Sequence, residues 1–121
     1  PSEKLTGGPW KIVGYWETTT SSAKKDVYQF WQDCAKDNIF IFHVNGTYTM
    51  EEGKTKCNSN DPIIVAGASG TWSFTSGGEL ILAGDQATIV EPLTETSVKF
   101  SFKSVLTNGE QLIEEYSLRR Q

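Results

Sequence analysis

Three kinds of side chain in this sequence could do chemistry: the cysteines Cys34 and Cys57, the single histidine His43, and the scattered carboxylates. A nucleophilic site sets a thiol or hydroxyl beside a base and an orienting acid. His43 closes an alternating run, Asn38 to His43, with no serine–acid or cysteine–acid arrangement near it in sequence. The alternation puts it on an outward face beside Thr47. Zinc asks for a fuller set of nitrogen and sulfur ligands than one histidine and two thiols supply. Asp33, Asp37 and Asp61, with Asn58 and Asn60, offer the oxygen ligands that calcium prefers, but their spacing matches no calcium loop and reads as solvated turns. No enzyme activity, metal or cofactor is therefore expected.

The two thiols are better suited to each other. An even cysteine count without a metal or redox motif suggests a Cys34–Cys57 disulfide and an oxidising compartment; the alternative is a reduced pair in a cytosolic protein. The chain starts Pro1-Ser2-Glu3-Lys4, without a start methionine or signal sequence, as expected of a mature or trimmed form. At 121 residues it is expected to be one domain, residues 1–121. A net charge of −4 leaves no basic stripe for phosphates, so nucleic acid is not an expected partner, and an anionic membrane surface is disfavoured for the same reason. No apolar run approaches the length of a spanning helix, so no membrane insertion of the domain is expected.

The elements that must position these residues are strands, because apolar residues alternate along nearly the whole chain. Eight are read: Gly8 to Thr19, Asn38 to His43, Thr47 to Glu52, Gly70 to Thr75, Glu79 to Ala83, Gln86 to Leu93, Ser97 to Val105 and Glu110 to Arg119. Each turn can be tested by register, since a slip of one residue moves every side chain to the wrong face. A Val44-Asn45-Gly46 loop pairs Phe42 with Tyr48 and Phe40 with Met50. A Ser76-Gly77-Gly78 loop pairs Phe74 with Leu80 and Trp72 with Leu82. A Gly84-Asp85 turn pairs Leu82 with Ala87 and Leu80 with Ile89. A Glu95-Thr96 turn pairs Leu93 with Val98 and Glu91 with Phe100, and a Thr107-Asn108-Gly109 loop pairs Phe100 with Tyr116 and Val98 with Leu118. The outcome is an all-β antiparallel meander closing into an eight-stranded up-and-down barrel, with a β-sandwich as the alternative.

Two connections are long, about Thr20 to Asp37 and about Gly53 to Ser69. In a meander both fall at one end, as do both cysteines. Asp26 to Asp33 in the first of them is expected to form a short helix, with Val27, Phe30 and Trp31 on one face over the rim.

The register places Trp10, Ile12 and Trp16 inside the barrel, with Phe40, Phe42, Tyr48 and Met50 from the first hairpin. Trp72, Phe74, Leu80, Leu82, Ile89 and Leu93 follow, and Val98, Phe100, Phe102, Tyr116 and Leu118 complete the lining. The candidate ligand-binding residues among them are Phe40, Phe42, Tyr48, Met50, Trp72, Phe74, Phe100, Phe102 and Tyr116, together with Glu114. A barrel this size is either packed solid or holds one small ligand, and its large inner residues lean toward a nearly filled core. Glu91 and Glu114 share the inward parity. A buried carboxylate needs a partner, and Pro92 marks a bulge that would turn Glu91 outward. Tyr15, Val13, Ile39 and Ile41 are placed outside, as a partner patch or as the surface under the first connection. Asn45-Gly46-Thr47 is formally a glycosylation sequon that the tight turn already explains.

The run Gly8-Pro9-Trp10 resembles the glycine-x-tryptophan motif on the first strand of lipocalins. The resemblance implies that Trp10 plugs the closed end of the barrel and that a basic residue late in the last strand, Arg119 or Arg120, packs across it, with Arg119 taken as the barrel-closing residue. A closer likeness is to the lipocalin-like domains of exported Bacteroidetes lipoproteins. It runs through Leu5-Thr6-Gly7-Gly8-Pro9-Trp10-Lys11, Cys34-Ala35-Lys36-Asp37-Asn38, Phe42, Asn45-Gly46-Thr47-Tyr48, Cys57, Gly70-Thr71-Trp72-Ser73-Phe74, Leu80 and Leu93-Thr94. The second and third lipocalin motifs are not recognisable. The likeness implies a periplasmic or cell-surface protein with a lipid anchor upstream. The expected function is binding of a small hydrophobic or amphipathic ligand entering between the two long connections. The alternative is a structural or adaptor domain with a filled core that contacts a protein partner.

Overall fold

The computed structural model describes residues 2–51 and 64–121. A short helix, α1 (Ser2–Thr6), precedes the long strand β1 (Trp10–Thr19). The first connection holds β2 (Ser22–Asp26), a 3-10 turn (Tyr28–Phe30) and α2 (Asp33–Lys36). The meander continues as β3 (Ile39–Phe42), β4 (Thr47–Glu51), β5 (Ile64–Phe74), β6 (Leu80–Leu82), β7 (Asp85–Glu91), β8 (Ser97–Val105) and β9 (Gln111–Arg120). Each strand from β3 onward pairs antiparallel with the next, and β9 returns to pair with β1. The eight strands β1 and β3–β9 thus close an up-and-down barrel, while β2 doubles back onto the outer half of β1. The sandwich alternative is excluded by that closure.

Three hairpins take the expected register. Phe42 pairs with Tyr48 and Phe40 with Met50. Gly46, at φ +88°, supplies the left-handed residue that this loop needs, and Asn45 Oδ1 accepts hydrogen bonds from Thr47 N and Oγ1 at 3.1 and 2.7 Å. Trp72 pairs with Leu82 and Phe74 with Leu80, and on the other side of the barrel Phe100 meets Tyr116 and Val98 meets Leu118.

Three registers differ. The β6–β7 turn is Ala83-Gly84, not Gly84-Asp85, so Leu80 pairs with Ala87 and Leu82 with Asp85. Both turn residues have positive φ, 52° and 84°, as the two-residue turn best matched to strand twist requires. The strained alanine hid this turn from the sequence, but the shift moves partners by two and keeps every face. Between β7 and β8 a bulge pairs Ile89 with Phe100 and Glu91 with Lys99, leaving Glu91 exposed. On β1 a bulge between Ile12 and Gly14 reverses the parity of everything beyond it. Tyr15 is therefore turned inward and 6% exposed, while Trp16 stands outside between the ammonium groups of Lys24 and Lys99, 5.1 and 4.4 Å from its ring. Gly14 permits this, because a Cβ there would lie 2.5 Å from the Trp16 ring.

The first connection also differs from expectation. Asp26 ends β2, the helical residues are Tyr28–Phe30 and Asp33–Lys36, and Phe30 is 78% exposed rather than folded over the rim. Trp31 does turn inward, its ring 5.4 Å from Tyr15 and 5.2 Å from Tyr28. Among the described residues no helix is long and apolar enough to cross a membrane. Cys57, Asn58, Asn60 and Asp61 lie outside the described residues, and with them the expected Cys34–Cys57 bridge.

Candidate ligand-binding cavity

One end of the barrel is sealed. Trp10 is fully buried there, its Nε1 donating to the carbonyl of Leu5 at 2.8 Å. Leu5, brought in by α1, is itself buried, so the helix acts as a stopper. The Arg120 guanidinium covers the Trp10 ring at 4.8 Å. Gly7 leaves the space it occupies, since a Cβ there would lie 2.4 Å from Arg120 Nη1. Arg119, the residue expected in this role, is exposed. The bulged β1 register pairs Trp10 with Arg120, and strand alternation then sends Arg119 outward.

Above the stopper a cavity of about 470 Å³ opens toward the opposite end, so the interior is not filled. Phe40, Phe42 and Tyr48 form one wall, with Tyr48 5.9 Å from Phe42 and 6.5 Å from Phe40. Phe100, Phe102 and Tyr116 form the facing wall; Phe100 stacks on Tyr116 at 5.8 Å and meets Phe102 edge-on at 5.6 Å. Ile12, Leu82 and Leu118 fill in between them. Of the candidate binding residues, seven line this space: Phe40, Phe42, Tyr48, Phe100, Phe102, Glu114 and Tyr116. The other three do not. Trp72 is buried in the core with its Nε1 on the His43 carbonyl at 2.9 Å, and Phe74 packs edge-on against it. Met50 faces a second hollow. Ala83, Asp85, Gln86, Lys103 and Ser104 edge the cavity at the ends of β6, β7 and β8; sequence reasoning missed them because it took the lining from the apolar face, and four of the five are polar or charged.

The polar group within the aromatic wall is Glu114. Tyr15, carried inward by the bulge, donates its hydroxyl at 2.7 Å to Glu114 Oε2, and the same hydroxyl lies 2.7 Å from Glu17 Oε2. Glu17 and Glu114 are direct cross-strand partners. Burial, followed by these contacts with Glu17 and Glu114, holds the Tyr15 phenol far above the ordinary tyrosine range. Tyr116, 4.8 Å from Tyr15, is pushed up to about 12, by burial first and the negative charge of Glu114 second. Both phenols are neutral, and both carry the imprint of carboxylate charge.

The second hollow, about 490 Å³, lies beside the barrel wall and is lined by Ile12, Trp31, Gln32, Ala35, Asn38, Phe40 and Met50. It exists because β1 meets β3 at only two positions, Trp10 with Phe40 and Lys11 with Ile39. Beyond them the first connection laces the gap: Val27 N donates to the Tyr15 carbonyl at 3.1 Å and the Tyr28 hydroxyl to the Ile12 carbonyl at 2.9 Å. Ile12 and Phe40 face both hollows and separate them. The remaining chemistry-bearing residues are engaged elsewhere. His43 Nε2 is 3.2 Å from Thr49 Oγ1, and Asp37 pairs with Lys11 at 3.1 Å.

No protein-family model and no curated protein sequence matches the chain. Among solved structures it is similar to bovine odorant-binding protein. The complex of that protein with undecanal aligns with 97% of this chain and 73% of its own, at 15% identity and a TM-score of 0.50. The complex with a selenium-containing odorant aligns with 100% of this chain and 73% of its own, at 16% identity and a TM-score of 0.51. The fold is lipocalin-like.

Proposed function

We propose that this chain is an exported lipocalin-like binding protein that takes a small hydrophobic or amphipathic molecule into its barrel and does no chemistry on it. The observation that carries this reading is the cavity of about 470 Å³ between two aromatic walls, sealed at one end and open at the other. Its size lies within the usual range for small-molecule sites. Aromatic faces desolvate an apolar body at low entropic cost, and the edge residues Asp85, Gln86 and Ser104 offer polar contacts for a head group. The bovine structures of the same fold, with undecanal and with a selenium-containing odorant, support the same class of cargo. Export, with a lipid anchor upstream as in the Bacteroidetes lipoproteins that the sequence resembles, is part of the reading and is supported by the cysteine pair. Peptide mass mapping without reductant should recover Cys34 linked to Cys57.

The test of binding is displacement of the fluorescent probe N-phenyl-1-naphthylamine by undecanal, alongside native mass spectrometry of protein purified gently from its own host. Saturable displacement and a mass above that of the bare chain are expected. Failure of any apolar probe to bind would overturn the reading.

A further inference from the structure

The cavity that the binding reading rests on is not uniformly apolar, and the sign of its polarity is informative. Glu114 is the inward residue between Leu112 at the strand end and Tyr116 deeper in, so its carboxylate sits inside the aromatic wall. One phenol hydrogen, that of Tyr15, faces two carboxylate oxygens at 2.7 Å, and a hydroxyl can donate only one hydrogen at full strength. The two carboxylates therefore share one protein donor. Among the described residues the ion pairs are Lys11 with Asp37 and Lys24 with Glu115, and neither reaches Glu17 or Glu114. The cation on the cavity edge, Lys103, is exposed, and Asp85 edges the same cavity. Glu114 stands among aromatic rings: Phe102 is its cross-strand partner, Tyr15 meets it through the hydroxyl, and Tyr116 lies 4.8 Å from Tyr15 and 6.2 Å from Phe102.

A carboxylate under aromatic faces attracts a positive charge by two mechanisms at once, charge-assisted hydrogen bonding and the ring quadrupole. It repels a fatty-acid carboxylate and gives an aldehyde or alcohol little. We infer that the ligand of this cavity is an organic cation, a protonated amine on an apolar body, with its ammonium on Glu114 beside Tyr15 and its hydrocarbon between the Phe40–Phe42–Tyr48 and Phe100–Phe102 walls. The ammonium supplies the donors that the single Tyr15 hydrogen cannot, and its charge offsets the pair.

The experiment is calorimetric titration of the whole protein at neutral pH with three probes of one chain length: decylamine, 1-decanol and decanoate. The amine should bind at least about tenfold tighter than the alcohol, the scale of one hydrogen bond to a charged group, and decanoate should be weakest. Glu114→Gln should collapse the amine-to-alcohol ratio toward one, and Glu17→Gln should lower it by less. The wild-type series decides even if a variant fails to fold. Equal affinity for amine and alcohol overturns this inference and leaves the binding reading standing. Tightest binding of decanoate also overturns it and points to Lys103 instead. No binding of any probe overturns both.

Discussion

The two edges of β1 close the barrel in different ways. Along one, β9 pairs with it from Trp10–Arg120 to Thr19–Leu112, with a single bulge. Along the other, β3 pairs with it at two positions, a tyrosine hydroxyl and one loop amide take the Ile12 and Tyr15 carbonyls, and β2 takes the outer third. Buried backbone groups need partners on both edges. The first edge finds them in a ladder and the second in a lacing of four partners, β3, the Tyr28 hydroxyl, the Val27 amide and β2. A ladder opens cooperatively, whereas a lacing can open stitch by stitch. The second edge is thus where the barrel should breathe, and it lies between the two hollows.

The largest effect is expected where both edges begin. Trp10→Ala should cost about 3–5 kcal/mol in urea unfolding, because it empties the stopper and leaves Arg120 uncovered. Next comes the ladder itself: Leu118→Ala, buried opposite Ile12, should cost about 2–5 kcal/mol and lower hydrogen-exchange protection evenly around the barrel. On the lacing, Tyr28→Phe removes one stitch and should cost about 1 kcal/mol. Its exchange signature should be local, confined to β1 and β3; a loss of protection spread equally into β8 and β9 would sink the distinction between the edges.

The smallest effect at ordinary pH lies with the phenols beside the ladder. Tyr15 and Tyr116 hold their protons more tightly folded than unfolded. The stability this gives is full below the ordinary tyrosine value of 10.0 and is lost as pH rises through about 12 for Tyr116. Thermal unfolding from pH 9 to 12 should show that decline, and Tyr116→Phe should make it shallower, the part due to Tyr15 remaining.

What was legible in the sequence follows the same division. The hairpins β3–β4, β5–β6 and β8–β9 were readable because only one loop length keeps the apolar residues of both strands on one face there. The barrel and most of its aromatic lining followed from them. The lacing was not readable: Ser22–Asp26 is too polar to announce a strand, and Tyr28 bonds through a side chain to a backbone carbonyl sixteen residues away, which periodicity cannot register. The β1 bulge was invisible for a related reason, since Tyr15 and Trp16 are adjacent aromatics and either fits an inward position. Glu114 was found by parity alone, but its partners Tyr15 and Glu17 required the bulge. The stopper helix went unread because five residues before a Gly-Gly-Pro run show no periodicity.

The bulge at Val13 makes β1 two strands in opposite phase joined at one residue. Below it the even-numbered positions face in, and above it the odd-numbered ones do. The identity of the cavity wall along β1 is therefore set by a count of residues rather than by which residues they are. Pairing that single position into the ladder, instead of bulging it out, would restore one phase throughout, bring the Trp16 indole to the inner face and carry the Tyr15 phenol out to the surface, exchanging an acidic niche for an oily one without altering any side chain in the protein.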